Sequence, residues 1–130
     1  MASNSVIIKT FNDQFEAFFD ELCEIFPDDS EIATLSLNIK RVRHANPTIS
    51  IKAFKSYVTA KYREQIFAND LNFFLDKDYT SDLVNTNMTN RIMSKINELR
   101  GPIGKLPSED QAKVMKYLIN FVKLTDLYNK

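Results

Sequence analysis

The sequence has few of the residue types that cross-link or interrupt small proteins. Its 130 residues include one cysteine, one histidine, no tryptophan and only two glycines. Cys23 alone cannot form an intramolecular disulfide, and no cluster of cysteine and histidine is present to build a zinc site. The low glycine content favours helices over a turn-rich β-sandwich. We therefore expect a protein of a reducing compartment, without a metal or other cofactor.

Long apolar runs are also absent. No run approaches the ~18 residues of a membrane span, and "MASNSVIIKTF" lacks the basic region and apolar core of a secretory signal. The chain is instead 44% hydrophobic, with ten phenylalanines, and 26% charged, which is typical of a compact protein. We expect no membrane association and one domain that spans residues 1–130.

The first half of the chain has the apolar period of three helices. "TFNDQFEAFFDELCEIFP" places its apolar residues on one helical face and ends at Pro27, and "PDDSE" supplies N-cap candidates for a second helix. A third is predicted from Pro47 to Phe67. The apolar positions of the second and third helices are Ile32, Leu35, Ile39 and Val42, then Ile51, Phe54, Val58, Tyr62 and Ile66.

The second half of the chain predicts a short helical turn and two further helices. The turn lies around Leu71 to Leu75. A fourth helix is capped by Asp78 or Ser81 and ends at Gly101 and Pro102, and the last begins at a capping box formed by Ser108 and Gln111. Together these patterns predict an all-α, single-domain bundle of about five helices.

Zero net charge conceals an uneven distribution of charge. Residues 1–31 hold eight acidic residues and one lysine, whereas residues 32–63 hold seven basic residues and no acidic one. One interpretation is that the basic block forms a nucleic-acid-binding surface, because clustered cations supply most non-specific affinity for phosphates. The candidates for this basic face are Lys40, Arg41, Arg43, His44, Lys52, Lys55 and Arg63.

The other interpretation is that this basic block pairs with the polar face of the first helix, in the same molecule or in a neighbouring one. The absence of net charge favours it, because dedicated nucleic-acid domains are strongly basic. The candidate acidic face, opposite the apolar residues of that helix, consists of Asp13, Glu16, Asp20 and Glu24.

Motifs of catalysis and phosphate binding are missing from the sequence. It has no glycine-rich phosphate loop, no G-x-S-x-G and no H-E-x-x-H. "DKDYTSDLVNTN" begins like a calcium loop, but Ser81 stands where the loop needs glycine and Asn87 where it needs glutamate. We therefore expect that the protein is not an enzyme.

Several segments together resemble a group of small helical proteins encoded by nucleocytoplasmic large DNA viruses, notably algal and mimivirus-like ones. They are "FNDQFEAFFDELCEIFPDD", "RHANP", "FKSYVTAKYREQI", "DLNFFLDKDYTSDL" and "QAKVMKYLINFVKL". The resemblance implies a viral protein of the host cytoplasm, in a virus factory, or of the virion. It carries over no catalytic residue.

Two hypotheses for function follow. The first is a non-enzymatic viral protein that binds proteins or has a structural role. Its partner is another virion protein or a second copy of the chain, held by the acidic and basic helix faces. The alternative is a nucleic-acid-binding protein that uses residues 40–63 in viral genome packaging, replication or transcription. The direction in which the basic side chains point discriminates between them.

Overall fold

The secondary structure of the protein is entirely helical over the part that the structure describes. A computed structural model describes residues 3–76 and 87–128, and within these ranges it contains no strand. The all-α prediction is thus confirmed. The helices are α1 (Asn4–Ile25), α2 (Ser30–Ala45), α3 (Ile49–Phe54), α4 (Ala60–Phe67), α5 (Leu71–Asp76), α6 (Asn87–Gly104) and α7 (Ser108–Leu127), with a π-helical segment, Lys55–Thr59, between α3 and α4.

The boundaries of α1 and α2 follow from local sequence signals. Ser3 Oγ accepts a hydrogen bond from the Val6 backbone N–H at 3.4 Å, so α1 begins before the predicted apolar pattern. It ends at Ile25, two residues before Pro27. Asp29 caps α2, since its Oδ1 accepts from the backbone N–H groups of Glu31 and Ile32 at 3.1 and 3.2 Å.

The chain divides into two compact units. The first consists of Met1–Lys61 and Asn120–Lys130, and the second of Tyr62–Ile119. The organisation of residues 1–130 as one domain stays a prediction, and each unit is described by itself below.

Aromatic side chains form the core of the first unit. Phe121 is fully buried on α7 and has its ring centroid 5.2 Å from Phe11, 5.5 Å from Phe15, 5.7 Å from Phe18 and 5.4 Å from Phe54. These separations are in the range preferred by aromatic pairs. The phenylalanines that the sequence placed on the apolar face of α1 thus hold α1, α3 and the end of α7 together.

A buried asparagine connects α1 to the α2–α3 turn. Asn12 is 4% exposed, and its amide nitrogen donates to the Pro47 backbone oxygen at 2.8 Å. In the same turn, Asn46 Oδ1 accepts from the Thr48 backbone N–H at 3.1 Å. These contacts satisfy polar groups where the chain reverses between two helices.

The π-helical segment changes which side chain enters the core. The sequence pattern predicts Val58 as a core position, but Val58 is half-buried and Thr59 is 6% exposed. Thr59 follows Phe54 by five positions, the i to i+5 spacing of a π turn, and the Ala60 N–H donates to the Lys55 oxygen. The assumption of a regular α-helix made the prediction for Val58 wrong.

Three rings bring α5 against α4 in the second unit. Tyr62 lies 6.1 Å from Phe73 and 5.9 Å from Phe74 between ring centroids. The Asn69 backbone has φ 58°, a left-handed conformation that asparagine tolerates, and it ends α4. The Asp70 carboxylate then accepts from the Phe73 N–H at 3.1 Å and starts α5, in agreement with the predicted helical turn.

The end of α6 differs from the prediction. The helix continues through Gly101 and Pro102 to Gly104, so the predicted stop is wrong. Pro102 removes one backbone donor, but the last turn gains another, because Gln111 Nε2 donates to the Ile103 and Gly104 oxygens at 3.1 Å each. Gln111 therefore caps the end of α6, and Ser108, the expected N-cap, is the first residue of α7. The predicted caps Asp78 and Ser81 lie outside the described residues.

Candidate partner-binding surface

The acidic face of α1 and one edge of α2 form a row of ion pairs. Arg43 Nη1 lies 2.6 Å from Glu16 Oε2 and 2.8 Å from Asp13 Oδ1. The second oxygen of Asp13 accepts from Lys9 Nζ at 2.8 Å. Further along, Asp20 Oδ1 accepts from Lys40 Nζ at 3.1 Å and from Ser36 Oγ at 3.0 Å. Two of the predicted basic residues thus meet three of the predicted acidic ones within one chain.

Helix geometry explains this match. Asp13, Glu16 and Asp20 recur at three- and four-residue spacing, which places them on one edge of α1. Higher residue numbers on α1 pair with lower ones on α2, as in antiparallel helices joined by a short turn. Glu24 continues the acidic edge of α1 and is exposed.

The ion pairs shift the pKa of Asp13 and of Arg43. The hydrogen bond from Lys9, followed by that from Arg43, holds the pKa of the Asp13 carboxyl below its usual range. The hydrogen bond to Glu16 raises the pKa of the Arg43 guanidinium further, so this side chain stays charged. Both shifts favour the charged forms of Asp13 and Arg43, the two groups that join α1 to α2 at this point.

Two more of the predicted basic residues contact aromatic side chains. Lys55 Nζ donates to the Tyr128 backbone oxygen at 2.6 Å and lies 5.7 Å from the centroid of that ring. Tyr128 itself is 3% exposed. In the second unit, the Arg63 guanidinium carbon lies 5.1 Å from the Phe67 ring centroid. The structure therefore does not assemble all seven basic candidates on one open face.

Arg41, His44 and Lys52 are the candidates that remain exposed in the first unit. Arg41 and His44 belong to the side of α2 that faces away from the buried residues Ile32 and Ile39. Leu37 lies on the same side and is 55% exposed. We call Leu37, Arg41 and His44 the outer face of α2.

Sequence reasoning singled out the two basic residues of this outer face but missed its leucine. A signal for Leu37 was present, because it is apolar yet out of phase with the pattern of Ile32, Leu35 and Ile39. Ser36 was also missed. Its role as a donor to Asp20 depends on the approach of α1, which the α2 sequence alone does not encode.

Other chemistry has little support among the described residues. Within them, no group of three or more histidine, cysteine, aspartate or glutamate side chains could hold a metal ion. Burial, followed by the charge of Asp20, raises the pKa of the Cys23 thiol, which disfavours the nucleophilic thiolate. Of the described helices, none is both long and apolar enough to cross a bilayer.

Comparison with known proteins identifies no relative. No protein-family model, no curated protein and no solved structure matches the chain.

Proposed function

We propose that the protein is a non-enzymatic binding domain whose partner is another protein. The observation that carries this proposal is that basic residues of the second and third predicted helices already pair with groups of the same chain. Lys40 and Arg43 are engaged by carboxylates of α1, and Lys55 by the Tyr128 carbonyl. What α2 presents outward is a leucine with two basic residues, a mixture more typical of a protein interface than of a phosphate-binding surface.

The same pairing bears on self-association. A dimer held by acidic helices against basic helices would need Asp13, Glu16 and Asp20 to leave partners that they have in their own chain. That exchange gains little, since it replaces one set of ion pairs by another. The proposal is therefore a different protein as partner, rather than a second copy.

The biological setting of this proposal rests on the sequence resemblance alone. If the chain belongs with the small helical proteins of large DNA viruses, its partner is another viral protein. The complex would then form in the host cytoplasm, at the virus factory, or within the virion. If the protein is located in the virion, we propose that its role there is structural.

Nucleic-acid binding is the second candidate. The exposed positions of Arg41, His44 and Lys52, in a segment without acidic residues, support it. With two or three phosphate contacts, the logarithm of the binding constant would fall with the logarithm of salt concentration with a slope of only about −2 to −3. Binding would therefore be weak at physiological ionic strength.

One pair of experiments separates the two candidates. Fluorescence anisotropy with labelled single- and double-stranded DNA and RNA, beginning at ~50 mM salt, measures phosphate binding where it is strongest. Affinity capture from infected or expressing cells, followed by reconstitution with the purified candidate partner, measures protein binding. We expect a reconstituted protein complex and no nucleic-acid binding. Micromolar nucleic-acid affinity lost in Arg41→Glu, without a reconstituted protein complex, would overturn the proposal.

A further inference from the structure

We propose that the outer face of α2 is a docking site for an acidic amphipathic helix of the partner protein. This inference rests on the proposed function, because it names the surface and the chemistry of the partner that the function requires. Four properties of α2 support it: the direction of its side chains, their exposure, their charge and their size.

The direction of the side chains separates two roles of α2. One side of α2 is buried within the first unit, and its residues are Ile32, Leu35, Ser36 and Ile39. At ~100° per residue, Leu37, Arg41 and His44 fall within an arc of roughly 60° on the opposite side. Their spacing of i, i+4 and i+7 is the one with which a helix presents a continuous surface to another helix.

Exposure makes Leu37 the apolar centre of this face. Its side chain is 55% exposed, which is among the highest values of any large apolar residue in the described part of the chain. The apolar positions of α2 that serve the core are already filled by residues less than 5% exposed. Leu37 is thus available to a partner without any change in the core.

Charge determines the kind of helix that fits. Arg41 and His44 are exposed and lie one and two turns beyond Leu37, whereas Lys40 and Arg43 are turned toward the carboxylates of α1. No acidic residue occurs between residues 32 and 63. Carboxylates on the partner would meet the Arg41 guanidinium, with the His44 imidazole beside it, without competition from this segment, and this complementarity selects an acidic helix over a basic one.

Side-chain size leaves room for a helix to approach. Toward the start of α2, the same side carries Ser30, Ala33 and Thr34, all exposed. The Thr34 hydroxyl donates to the Ser30 oxygen at 3.0 Å, so its polar group is already satisfied. Small residues beside Leu37 would let the apolar side of the partner pack closely. The carboxylates of the partner would then lie toward the Arg41 end.

The probe for this proposal is a synthetic peptide. It is fluorescein-labelled, about 18 residues long to allow stable helical turns, with leucines at i, i+4 and i+7 and glutamates beside them. A control peptide has the same composition with its leucines distributed around the helix. We expect the first peptide to bind at least about tenfold more tightly than the control, since only it offers a continuous apolar stripe.

Variants of the protein locate the site. We expect Leu37→Ser and Arg41→Glu each to weaken binding of the leucine-striped peptide by about fivefold or more, because each removes a central contact. Leu127→Ser is the matched apolar control, since Leu127 is 57% exposed on α7. Lys123→Glu is the matched charge control, an exposed lysine on the same helix. Both controls should leave binding unchanged, and circular dichroism checks that all four variants fold.

The outcomes distinguish this inference from the proposed function. Equal affinity for both peptides, no binding up to ~1 mM, a range that covers even weak peptide recognition, or equal losses in the control variants would overturn the docking site. If the reconstituted protein complex forms but is insensitive to Leu37→Ser and Arg41→Glu, the docking site is wrong and the binding function stands. If no protein complex can be reconstituted and neither peptide binds, both fail.

Discussion

Two buried threonine hydroxyls form a directed hydrogen bond in the first unit. Thr59 Oγ1 and Thr125 Oγ1 are 2.7 Å apart, and Thr125 Oγ1 also donates to the Val122 oxygen at 2.9 Å. A hydroxyl has one hydrogen, so Thr59 must be the donor to Thr125. The two hydroxyls therefore differ in their hydrogen bonds. Thr125 Oγ1 is both a donor and an acceptor, whereas Thr59 Oγ1 donates to Thr125 and needs it as its acceptor.

This inequality predicts the cost of removing each hydroxyl. Thr125→Val should lower the free energy of unfolding by about 1–3 kcal/mol, since it leaves the Thr59 hydroxyl buried without its acceptor. Thr59→Val should cost about 0.5–1.5 kcal/mol, the net value of one hydrogen bond. The double variant should lie close to the wild type, because an apolar pair of similar shape replaces a polar one. Urea unfolding measures all three.

A variant at an exposed threonine controls for helix propensity. Thr34→Val changes an exposed position of α2 and should shift the free energy of unfolding by less than about 0.5 kcal/mol. If the two single costs at Thr59 and Thr125 simply add in the double variant, the hydroxyls do not depend on each other as described.

Asp13 provides a second prediction at the scale of single residues. Its lowered pKa comes first from Lys9 and second from Arg43. Lys9→Met should therefore raise the pKa of Asp13 more than Arg43→Met does, as measured by carbon NMR of the carboxyl group during an acid titration. A larger effect of Arg43→Met would show that the α1–α2 contact, not the contact within α1, dominates at this carboxylate.

The sign of this shift fixes its effect on stability. A carboxyl whose pKa is lower in the folded protein contributes stability that is present above its unfolded value, near 3.8, and is lost as the pH falls through the folded value. The contribution of Asp13 should therefore be constant at neutral pH and disappear only below about pH 4. Urea midpoints measured from pH 7 to pH 2 for the wild type and Lys9→Met should converge at the acidic end.

Among the elements, the π-helical segment makes the clearest prediction. A π turn holds one residue more than an α turn, so deletion of Ser56, which is exposed within it, should convert the segment to α-helix. The flanking helices would keep their faces. We expect a folded protein within about 1.5 kcal/mol of the wild type by urea unfolding, the size of a modest core adjustment.

A deletion in the regular helix that follows is the control. Removing Glu64, an exposed residue of α4, rotates Ile66 and the residues after it by ~100° about the helix axis relative to Tyr62. Both of these residues are buried, at 7% and 0% exposure. Loss of one such side chain from the core should cost about 1.5–3 kcal/mol. If both deletions are equally costly, the segment does not hold an extra residue.

The differences between predicted and observed elements have a common physical cause. Pro27 and Asp29 act through neighbours in the chain, and their effects on α1 and α2 were predictable. The end of α6 beyond Pro102 is capped by Gln111, seven residues beyond the last residue of that helix. Thr59 is buried with Thr125, 66 residues away. Sequence periodicity contains no information about such distant partners.

The candidate site, like the fold, was predictable from the sequence only where the signal is local. That acidic and basic residues would occupy helix faces followed from their spacing, but whether they would pair within one chain or between two did not. The choice is made by the short turn between α1 and α2, which brings Arg43 to Asp13 and Glu16. The outer face of α2 then consists of what this pairing leaves unused, so it could be recognised only after the pairing was known.

For the whole molecule, the internal pairing predicts how mass and stability respond to salt. The carboxylates and cations of the α1–α2 row are engaged within one chain, so light scattering should give the same mass at ~50 mM and ~1 M NaCl. Over this range the screening length falls to about 3 Å. The partly exposed pairs should therefore weaken, and the urea midpoint should fall slightly in the wild type and less in the double variant K40M/R43M.

A mass that decreases with salt would mean instead that these charges join two chains, because only an interface between subunits couples screening to molecular mass. The acidic and basic helix faces would then be the binding surface themselves, and Asp20→Lys combined with Lys40→Asp would restore association that either change alone abolishes.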